Sequence, residues 1–317
     1  MSKYRNPVVS IACVTYNHEE YISQAIESFL AQKTNFVFEI VIGEDYSTDA
    51  TRTICQEYAT KYPDIIKLII SNSNIGAAKN GIRIFEACKG KYIALCDGDD
   101  YWTDPFKLQK QVDFLESNKD YSIASHRYRI FDNEKKTFSL DFAHDLFDDN
   151  IDGLEFDKYK FLEHQYTQTL TVVLRREMLD LPLFLKLQQG DMALFYCCLK
   201  NGPGYCFNFD GAVYRRHLGG IYSKRNDYEK VRAGFYLFYT LYFKTPDKEI
   251  FKKYLEYHRS ILFGKIKENI LNRVNNSYFL KDVYTVLMID IYTYQFFTFI
   301  KRLRKLVYWS LKSNIKK

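Results

Sequence analysis

The sequence has no uninterrupted apolar run long enough to cross a membrane, and no long apolar core follows residues 1–7. We therefore expect neither a membrane-spanning helix nor a signal peptide. The seven cysteines contain no Cys-X-X-Cys pair, their number is odd, and several lie inside apolar runs. This pattern predicts reduced core thiols in a cytoplasmic protein and argues against a zinc site. Internal repeats and low-complexity linkers are absent as well.

The bulk composition is that of a globular protein. Of the 317 residues, 47% are hydrophobic and 26% are charged, which suits one large domain or a domain with an appendage. Aromatic residues are abundant, with 27 tyrosines and 25 phenylalanines. The net charge of +6 is a weak indication of anionic partners.

In the first third of the chain, apolar β-prone runs end in polar clusters, and segments with helical spacing separate the runs. This pattern predicts strands at 7–14, 38–43 and 65–71 and a fourth that ends before Asp97, with helices at 21–32, 50–62 and 77–88. Strands that alternate with helices predict an α/β fold with a mostly parallel central sheet. Ligands bind beyond the carboxyl ends of such strands, where the polar clusters lie.

The fourth apolar run ends in three carboxylates within four positions, Asp97, Asp99 and Asp100. Carboxylates so close together repel one another unless a cation lies among them. A divalent metal held by oxygen ligands, together with substrate phosphates, explains the cluster, and Mg²⁺ or Mn²⁺ suits such ligands. The alternative is an acidic turn that caps the helix beginning near Pro105.

The middle of the chain is less regular. We expect helices at 107–115, 176–187 and 191–200, strands at 120–131 and 168–175, and an acidic loop or hairpin at 131–157. The α/β pattern ends near Tyr214, and from Tyr228 onward apolar and basic positions recur at helical spacing.

Taken in order, these motifs resemble a family 2 glycosyltransferase with the nucleotide-sugar-binding fold called GT-A, over residues 7–223. The opening strand with Thr15-Tyr16-Asn17, the acidic segment 44–49, the Asn74-Ile75-Gly76 turn and the acidic segment 97–100 are similar to motifs of that family. Lys79 stands where the family usually has arginine, which puts a bidentate contact of that side chain in doubt.

The resemblance implies different roles for these residues. It implies nucleotide contacts for one set of side chains: Thr15, Tyr16, Asn17, Asp45, Asn74, Lys79, Asp97 and Asp99. Asp45 would accept a hydrogen bond from the base, implied to be uracil, or would cap a helix. Asp99 would hold the metal with Asp97 or Asp100, whereas Asp97 could instead bind the ribose.

The segment 190–195 resembles the family motif that carries the general base, here Asp191. Such a base takes the proton of the acceptor hydroxyl. One base without an evident nucleophile implies direct displacement with inversion, unlike the paired carboxylates of glycoside hydrolases. The alternative for Asp191 is an ordinary helix N-cap.

The last motif, 214–223, resembles the segment that closes over the diphosphate in many family members. His217 would be a further metal ligand, and Arg215, Arg216 and Lys224 would meet phosphate oxygens. A solvated basic loop is the alternative. His18 follows the Thr15-Tyr16-Asn17 turn and is a candidate for lining the pocket.

Residues 226–317 lie beyond the resemblance. Basic residues from Lys301 to Lys317 are interleaved with the aromatic Tyr308 and Trp309, and no acidic residue follows Asp290. This suits a helix lying on an anionic membrane surface, and the alternative is a helical subdomain with a solvated basic end. No nucleic-acid-binding motif is present, so nucleic acid is not an expected partner.

These arguments predict a GT-A catalytic domain at 1–225, with a nucleotide-sugar half at 1–105 and an acceptor half at 106–225, and a helical region at 226–317. The resemblance implies an inverting hexosyl- or N-acetylhexosaminyltransferase of the type that builds bacterial surface glycans. It would move a sugar from a UDP-sugar to a glycan or lipid-linked acceptor with Mn²⁺ or Mg²⁺, in the cytoplasm and against the inner face of the cell membrane.

Two other functions are open to the same residues. A nucleotidyltransferase would normally carry a glycine-rich basic loop after its first strand, but residues 15–20 contain no glycine, lysine or arginine. An inactive nucleotide-sugar-binding module would have lost acids at the metal or base positions, and these acids are all present.

Overall fold

The computed structural model describes residues 6–148, 150–164, 166–187, 189–274, 277–293 and 295–315. The chain divides into two compact units, Met1–Ser223 and Lys224–Lys317. All seven cysteines are buried free thiols, which confirms the prediction of core thiols. None of the helices that the structure describes combines the length and hydropathy that crossing a bilayer requires.

The first unit opens with the predicted alternation of strands and helices. Its elements in chain order are β1 (Val9–Thr15), α1 (Ile22–Leu30), β2 (Phe38–Glu44), α2 (Thr51–Lys61), β3 (Ile66–Ile70), α3 (Ala77–Ala87) and β4 (Tyr92–Leu95). Each predicted strand and helix of this region is present within a few residues of its expected ends.

The rest of the first unit completes the sheet with shorter elements. They are β5 (Tyr101–Trp102), α4 (Lys107–Ser117), β6 (Ile123–Asp132), β7 (Thr137–Leu140), β8 (Gly153–Phe156), α5 (Lys158–Glu163), β9 (Val173–Arg175), α6 (Leu181–Leu187), α7 (Asp191–Leu199), β10 (Gly204–Arg216) and α8 (Ile221–Lys224). Single 3-10 turns occur at His144–Leu146, Thr169–Thr171 and Arg176–Met178.

One predicted segment differs from the structure, and a second is confirmed in part. The strand expected at 168–175 is reduced to β9, because a 3-10 turn at Thr169–Thr171 precedes it. The segment 131–157, expected as a loop or hairpin, contains β7, which pairs with β6 as a hairpin, and β8, which pairs with β10.

Within the described residues one sheet contains all ten strands, in the order β3-β2-β1-β4-β9-β6-β10-β5, with β7 on β6 and β8 on β10. Neighbours from β3 to β4 are parallel. Strand β9 runs antiparallel to both β4 and β6, and β10 is parallel to β6. Six strands therefore point the same way, and the sheet is mostly parallel, as predicted.

The apolar spacing of α1 explains how it packs against this sheet. Ile22, Ala25, Ile26 and Phe29 recur every three or four residues and are all buried. The Phe29 ring lies 4.8 Å from the ring of Trp102 on β5. Burying a side chain of this size contributes about 1.5–3 kcal/mol. The packing holds the β1–α1 turn over the carboxyl ends of the strands.

The second unit consists of four long helices among the described residues: α9 (Asp227–Lys244), α10 (Lys248–Asn272), α11 (Phe279–Tyr292) and α12 (Phe296–Ile315). Asn226 and Glu229 form a reciprocal capping box at the start of α9. Lys316 and Lys317, part of the predicted basic cluster, lie outside the described residues.

Two buried aspartates connect these helices. Asp282 of α11 accepts hydrogen bonds from Tyr228, Arg232 and Tyr236 of α9. Asp290 Oδ1 lies 2.8 Å from Nη1 of Arg259 on α10 and 2.6 Å from Nη1 of Arg302 on α12. Removing one partner of a buried pair leaves an uncompensated charge, so these contacts tie α11 to its neighbours.

Candidate active site

The first three predicted nucleotide-binding residues lie at the end of β1 and directly after it. Thr15 is the last residue of β1, and the backbone of Asn17 is left-handed, with φ of 54°. The Asn17 amide donates to Ser47 Oγ at 3.0 Å, and Asn17 Oδ1 accepts from the Thr48 amide at 2.9 Å. Asn17 therefore ties the β1–α1 turn to the β2–α2 turn, while Tyr16 beside it is exposed.

Asp45 follows β2 and organises a third turn. Its carboxylate accepts the backbone N–H groups of Ile75 at 2.9 Å and Gly76 at 2.8 Å. Gly76 has φ of +85°, a conformation that favours glycine, and precedes α3. The Asp45 carboxylate thus holds the turn that leads into α3, whereas α2 begins after Ala50 without a side-chain cap. Asn74 and Lys79, on either side of this turn, are exposed.

The acidic segment after β4 meets two histidines. Asp99 Oδ2 lies 3.0 Å from His217 Nε2 and 3.6 Å from His18 Nε2. The three ligand atoms lie within 4.8 Å of one another. Burial raises the pKa of Asp99, but the hydrogen bond with His217 and the charges of both histidines outweigh it, so the pKa is lowered. Two predicted metal ligands, Asp99 and His217, are therefore neighbours.

Asp97 and Asp100 face other partners. Asp100 is buried, and its Oδ1 accepts the Arg215 backbone N–H at 2.8 Å. It does not belong to the cluster with the histidines, although we expected it to hold the metal. Burial and the neighbouring charges of Asp99 and Asp191 raise the pKa of Asp97. Asp97 therefore lies within electrostatic reach of the predicted base.

Arg215 of β10, predicted to bind phosphate, is engaged within the protein. Its guanidinium carbon lies 4.7 Å from the Tyr21 ring and 5.2 Å from the Tyr101 ring. Nε donates to the Asp99 carbonyl at 2.9 Å, and Nη2 donates to Gln24 at 2.6 Å. The side chain thus anchors the acidic segment to α1. These two hydrogen bonds use two of the five guanidinium N–H groups, and the phosphate contact of Arg215 stays a prediction.

The other two predicted phosphate contacts are exposed. Arg216 lies 5.5 Å from the Phe142 ring. Lys224 ends α8 and is exposed in the second unit. His217 itself is 7% exposed and packs edge-on against Tyr21, with ring centroids 4.7 Å apart.

Asp191, the predicted base, is the first residue of α7. The N-cap position belongs to Gly190, so Asp191 is not the ordinary N-cap of the alternative reading. Its Oδ1 accepts the Met192 amide at 2.8 Å, and its Oδ2 accepts the Thr169 hydroxyl at 3.0 Å. These contacts fix the carboxylate at the helix N-terminus, where the helix dipole favours negative charge.

Sequence reasoning missed two of these neighbours. His18 was expected only to line the pocket, although its position directly after Asn17 was a usable signal. Thr169 lies in the segment predicted as a strand, and nothing in the sequence linked it to Asp191. A 3-10 turn, rather than a strand, presents its hydroxyl to the carboxylate.

Comparison with known proteins points to one family. The sequence model described as Glycosyl transferase family 2 matches residues 10–180. The chain is 30% identical over 224 residues to the "Putative teichuronic acid biosynthesis glycosyltransferase TuaG" of Bacillus subtilis, spanning 69% of this chain and 83% of that protein. It is 36% identical over 237 residues to the uncharacterized protein Rv1520 of Mycobacterium tuberculosis, spanning 71% of this chain but only 64% of that relative.

Solved structures share the fold at low identity. The S. aureus TarS 1–349 complex with UDP-GlcNAc matches with a TM-score of 0.62 and 16% identity, over 88% of this chain and 80% of that chain. The mannosyltransferase PcManGT from Pyrobaculum calidifontis, in complex with GDP-Man and Mn²⁺, matches with a TM-score of 0.56 and 13% identity, over 99% and 88%.

Proposed function

The chain belongs to glycosyl transferase family 2, and we propose that it is an inverting glycosyltransferase. It moves a hexosyl or N-acetylhexosaminyl group from a UDP-sugar to a hydroxyl of a glycan or lipid-linked acceptor. One observation carries this proposal. Asp99, which follows β4, lies 3.0 Å from His217 beside the joined β1–α1 and β2–α2 turns, an arrangement that suits an ion and a nucleoside diphosphate.

The donor nucleotide is assigned to the carboxyl ends of β1, β2 and β4. Exposed Tyr16, Asn74 and Lys79 offer contacts to it, while Thr15, Asn17 and Asp45 shape the turns around it. Asp97 is assigned to the ribose. The TarS complex with UDP-GlcNAc supports a UDP-sugar, and the PcManGT complex with GDP-Man makes GDP-mannose the first competitor to test.

Asp99 and His217 fit a divalent ion. A carboxylate oxygen and an imidazole nitrogen 3.0 Å apart can share one ion, and both groups are common ligands. When bound, Mn²⁺ or Mg²⁺ would supply positive charge against the negative charge that develops on the leaving diphosphate. Arg215 holds the Asp99 backbone in place, and Arg216 and Lys224 are assigned to the phosphate oxygens.

Asp191 is assigned to take the proton of the acceptor hydroxyl as the sugar is transferred. The hydroxyl oxygen forms the new glycosidic bond while the bond between sugar and diphosphate breaks. A single displacement inverts the anomeric carbon, because no second carboxylate serves as a nucleophile in this scheme. The name of the Bacillus subtilis relative, which refers to teichuronic acid biosynthesis, supports a surface glycan as the product.

A donor screen tests the proposed function. The full chain is incubated with Mn²⁺ and a panel of UDP- and GDP-sugars, and release of nucleoside diphosphate is measured with and without acceptor glycans. We expect turnover of one UDP-sugar. Asp191→Asn should cut transfer by roughly 10²-fold or more while donor binding by calorimetry persists. Asp113→Asn, at an exposed position of α4, is the matched control and should transfer normally.

Two outcomes contradict the proposal. Donor binding without turnover of any sugar would indicate an inactive binding module. Near-normal transfer by Asp191→Asn would remove the base assignment.

We also propose that the outer face of α12 contacts an anionic membrane, at the inner face of the cell membrane. One face of α12 is half-buried or buried in the second unit, at Phe299, Arg302, Leu306, Trp309 and Ser313. The opposite face presents exposed basic and apolar side chains together: Phe297, Lys301, Arg304, Lys305, Val307, Tyr308, Leu311 and Lys312. The packed face fits the helical subdomain that was the alternative, and the exposed face supports the membrane proposal.

The outer face has the composition of an interfacial helix. Phe297 is 90% exposed. It borders an open groove with a volume of about 440 Å³, whose other lining residues are Ile300, Lys301, Arg304, Lys305 and Tyr308. Exposed apolar side chains beside cations suit the boundary between acyl chains and anionic headgroups. Arg302 is excluded from this role because it pairs with Asp290.

A further inference from the structure

His18 shares the site of the predicted metal ligands although it comes from a different loop. It follows β1, whereas Asp99 follows β4 and His217 follows β10. Its Nε2 lies 3.6 Å from Asp99 Oδ2, and this oxygen also faces His217 Nε2 at 3.0 Å. Two imidazole nitrogens therefore converge on one carboxylate oxygen, with all three atoms within 4.8 Å of one another.

We infer that His18 is a third protein ligand of the divalent ion, and that the resulting set of two imidazoles and one carboxylate binds Mn²⁺ in preference to Mg²⁺. The inference rests on the metal-assisted reaction of the proposed function and deepens it. It adds a ligand and chooses between the two ions.

The orientation of the His18 ring supports this role. Its Nδ1 lies 3.3 Å from Thr15 Oγ1, and its backbone N–H donates to Thr51 Oγ1 at 2.7 Å. These contacts turn Nε2 toward Asp99. A ligating histidine typically uses its second nitrogen in this way, since a hydrogen bond there fixes the tautomer and the ring direction.

Simple ion pairing accounts less well for the arrangement. Without an ion, the Nε2 atoms of both histidines would have to share one carboxylate oxygen of Asp99. One divalent ion among neutral rings satisfies all three groups at once. At bond lengths of about 2.1 Å, ligand atoms on one ion lie roughly 3 Å or more apart, as they do here.

The donor set determines which ions suit the site. Mg²⁺ prefers oxygen ligands in strict octahedral geometry and keeps several waters. Imidazole nitrogen suits first-row transition metals, with affinity rising from Mn²⁺ toward Cu²⁺. Two imidazoles therefore favour Mn²⁺ among the two ions commonly paired with nucleotides.

His18 also connects the ion to the nucleotide side of the site. It lies beside Asn17, which ties the β1–α1 and β2–α2 turns together. His217 packs on Tyr21 of the same β1–α1 segment. An ion held by His18 and His217 would therefore join this segment to the end of β10.

Pulsed electron paramagnetic resonance on Mn²⁺ bound to the full chain tests the inference without any measurement of activity. It counts directly bound imidazole nitrogens, with Mn²⁺ alone and with Mn²⁺ and UDP. We expect two nitrogens in the wild-type protein and one in both His18→Gln and His217→Gln. His144→Gln is the matched control, because His144 is exposed and contacts Arg127 instead. It should keep two.

Calorimetry on the same variants supplies the affinities. We expect His18→Gln to weaken Mn²⁺ binding by about tenfold or more, and Mg²⁺ binding by less, because Mg²⁺ gains little from imidazole. Thermal melting confirms that each variant is folded. If His18→Gln misfolds, a wild-type count below two nitrogens still overturns the inference.

Several outcomes overturn the inference. They are a single nitrogen in the wild type, no Mn²⁺ bound with or without UDP, or a His18→Gln variant with unchanged Mn²⁺ affinity. These outcomes differ from failure of the proposed function. Two nitrogens without turnover of any donor would uphold the ligand set and reject the transferase, whereas metal-dependent turnover with one nitrogen would do the reverse.

Discussion

Thr169 is the side chain that holds the proposed base in place. Its hydroxyl donates to Asp191 Oδ2 at 3.0 Å, while the other oxygen is held by the Met192 amide. Without the hydroxyl, the carboxylate can rotate away from the acceptor. Misplacing a reacting group by a small distance can cost a large factor in rate.

We therefore predict that Thr169→Val lowers kcat about tenfold, with the KM for the donor nearly unchanged. Thr169→Ser keeps the hydroxyl and should restore most of the rate. Steady-state kinetics with the donor found in the screen measures both. Equal losses in Val and Ser variants would mean that packing, rather than the hydroxyl, is responsible.

At the scale of single elements, α4 contains a buried cation. Lys107 is fully buried, and its Nζ donates to Gln111 at 2.8 Å and lies 4.3 Å from the Trp102 ring. Burial lowers the pKa of Lys107 from 10.5 to about 7. In the unfolded chain the lysine keeps its ordinary pKa, so folding and protonation are linked.

The sign of this linkage gives a prediction. Between pH 7 and 10.5 the unfolded chain binds a proton that the folded chain has released, so this group makes stability rise with pH. Below pH 7 both states are protonated, and the folded state bears the full cost of a buried charge. Relative to Lys107→Met, the wild-type free energy of unfolding should rise above pH 7 with a slope approaching about 1.4 kcal/mol per pH unit.

Urea unfolding at about pH 6, 7, 8 and 9, the range in which folding changes the protonation of Lys107, measures that difference in the free energy of unfolding. Lys110→Met, at a half-exposed lysine one turn nearer the helix end, is the control and should show no such slope. Parallel curves for the wild type and Lys107→Met would mean that the Trp102 ring keeps the lysine charged, since a ring face attracts a cation.

At the scale of the whole molecule, the proposed membrane contact is the outer face of α12. Truncating the helix is a poor test, because its inner face packs in the second unit and Asp290 would lose Arg302. Substitution of outer-face cations leaves that packing intact. Each basic residue near an anionic surface contributes about 1 kcal/mol.

We predict that the full chain floats with anionic vesicles and not with neutral ones, and that added salt weakens the association. Lys301→Glu with Lys305→Glu should weaken it by about thirtyfold or more, from roughly 1 kcal/mol per cation removed. The control is Lys252→Glu with Lys253→Glu, which changes the net charge equally at exposed positions of α10. No preference for anionic vesicles in the full chain would contradict the membrane proposal.

Local patterns in the sequence were sufficient for the class of fold. The strands up to β4 and the helices between them follow from apolar periodicity and from polar residues at their ends, which are short-range properties. The same patterns indicated that Asp45 and Asp99 lie at one edge of the sheet, because parallel strands end together. The resemblance to family motifs then identified that edge as the expected nucleotide-sugar site.

The partners of individual side chains depended on contacts between distant parts of the chain. His18, Asp99 and His217 meet only because β1, β4 and β10 lie in one sheet. Asp99 faces the histidines while Asp100 faces the Arg215 backbone, because adjacent residues of a turn point in different directions. Spacing along the sequence contains no record of such directions. Tertiary packing alone selects them, since a buried charge or hydrogen-bonding group must find its partner wherever the fold brings one.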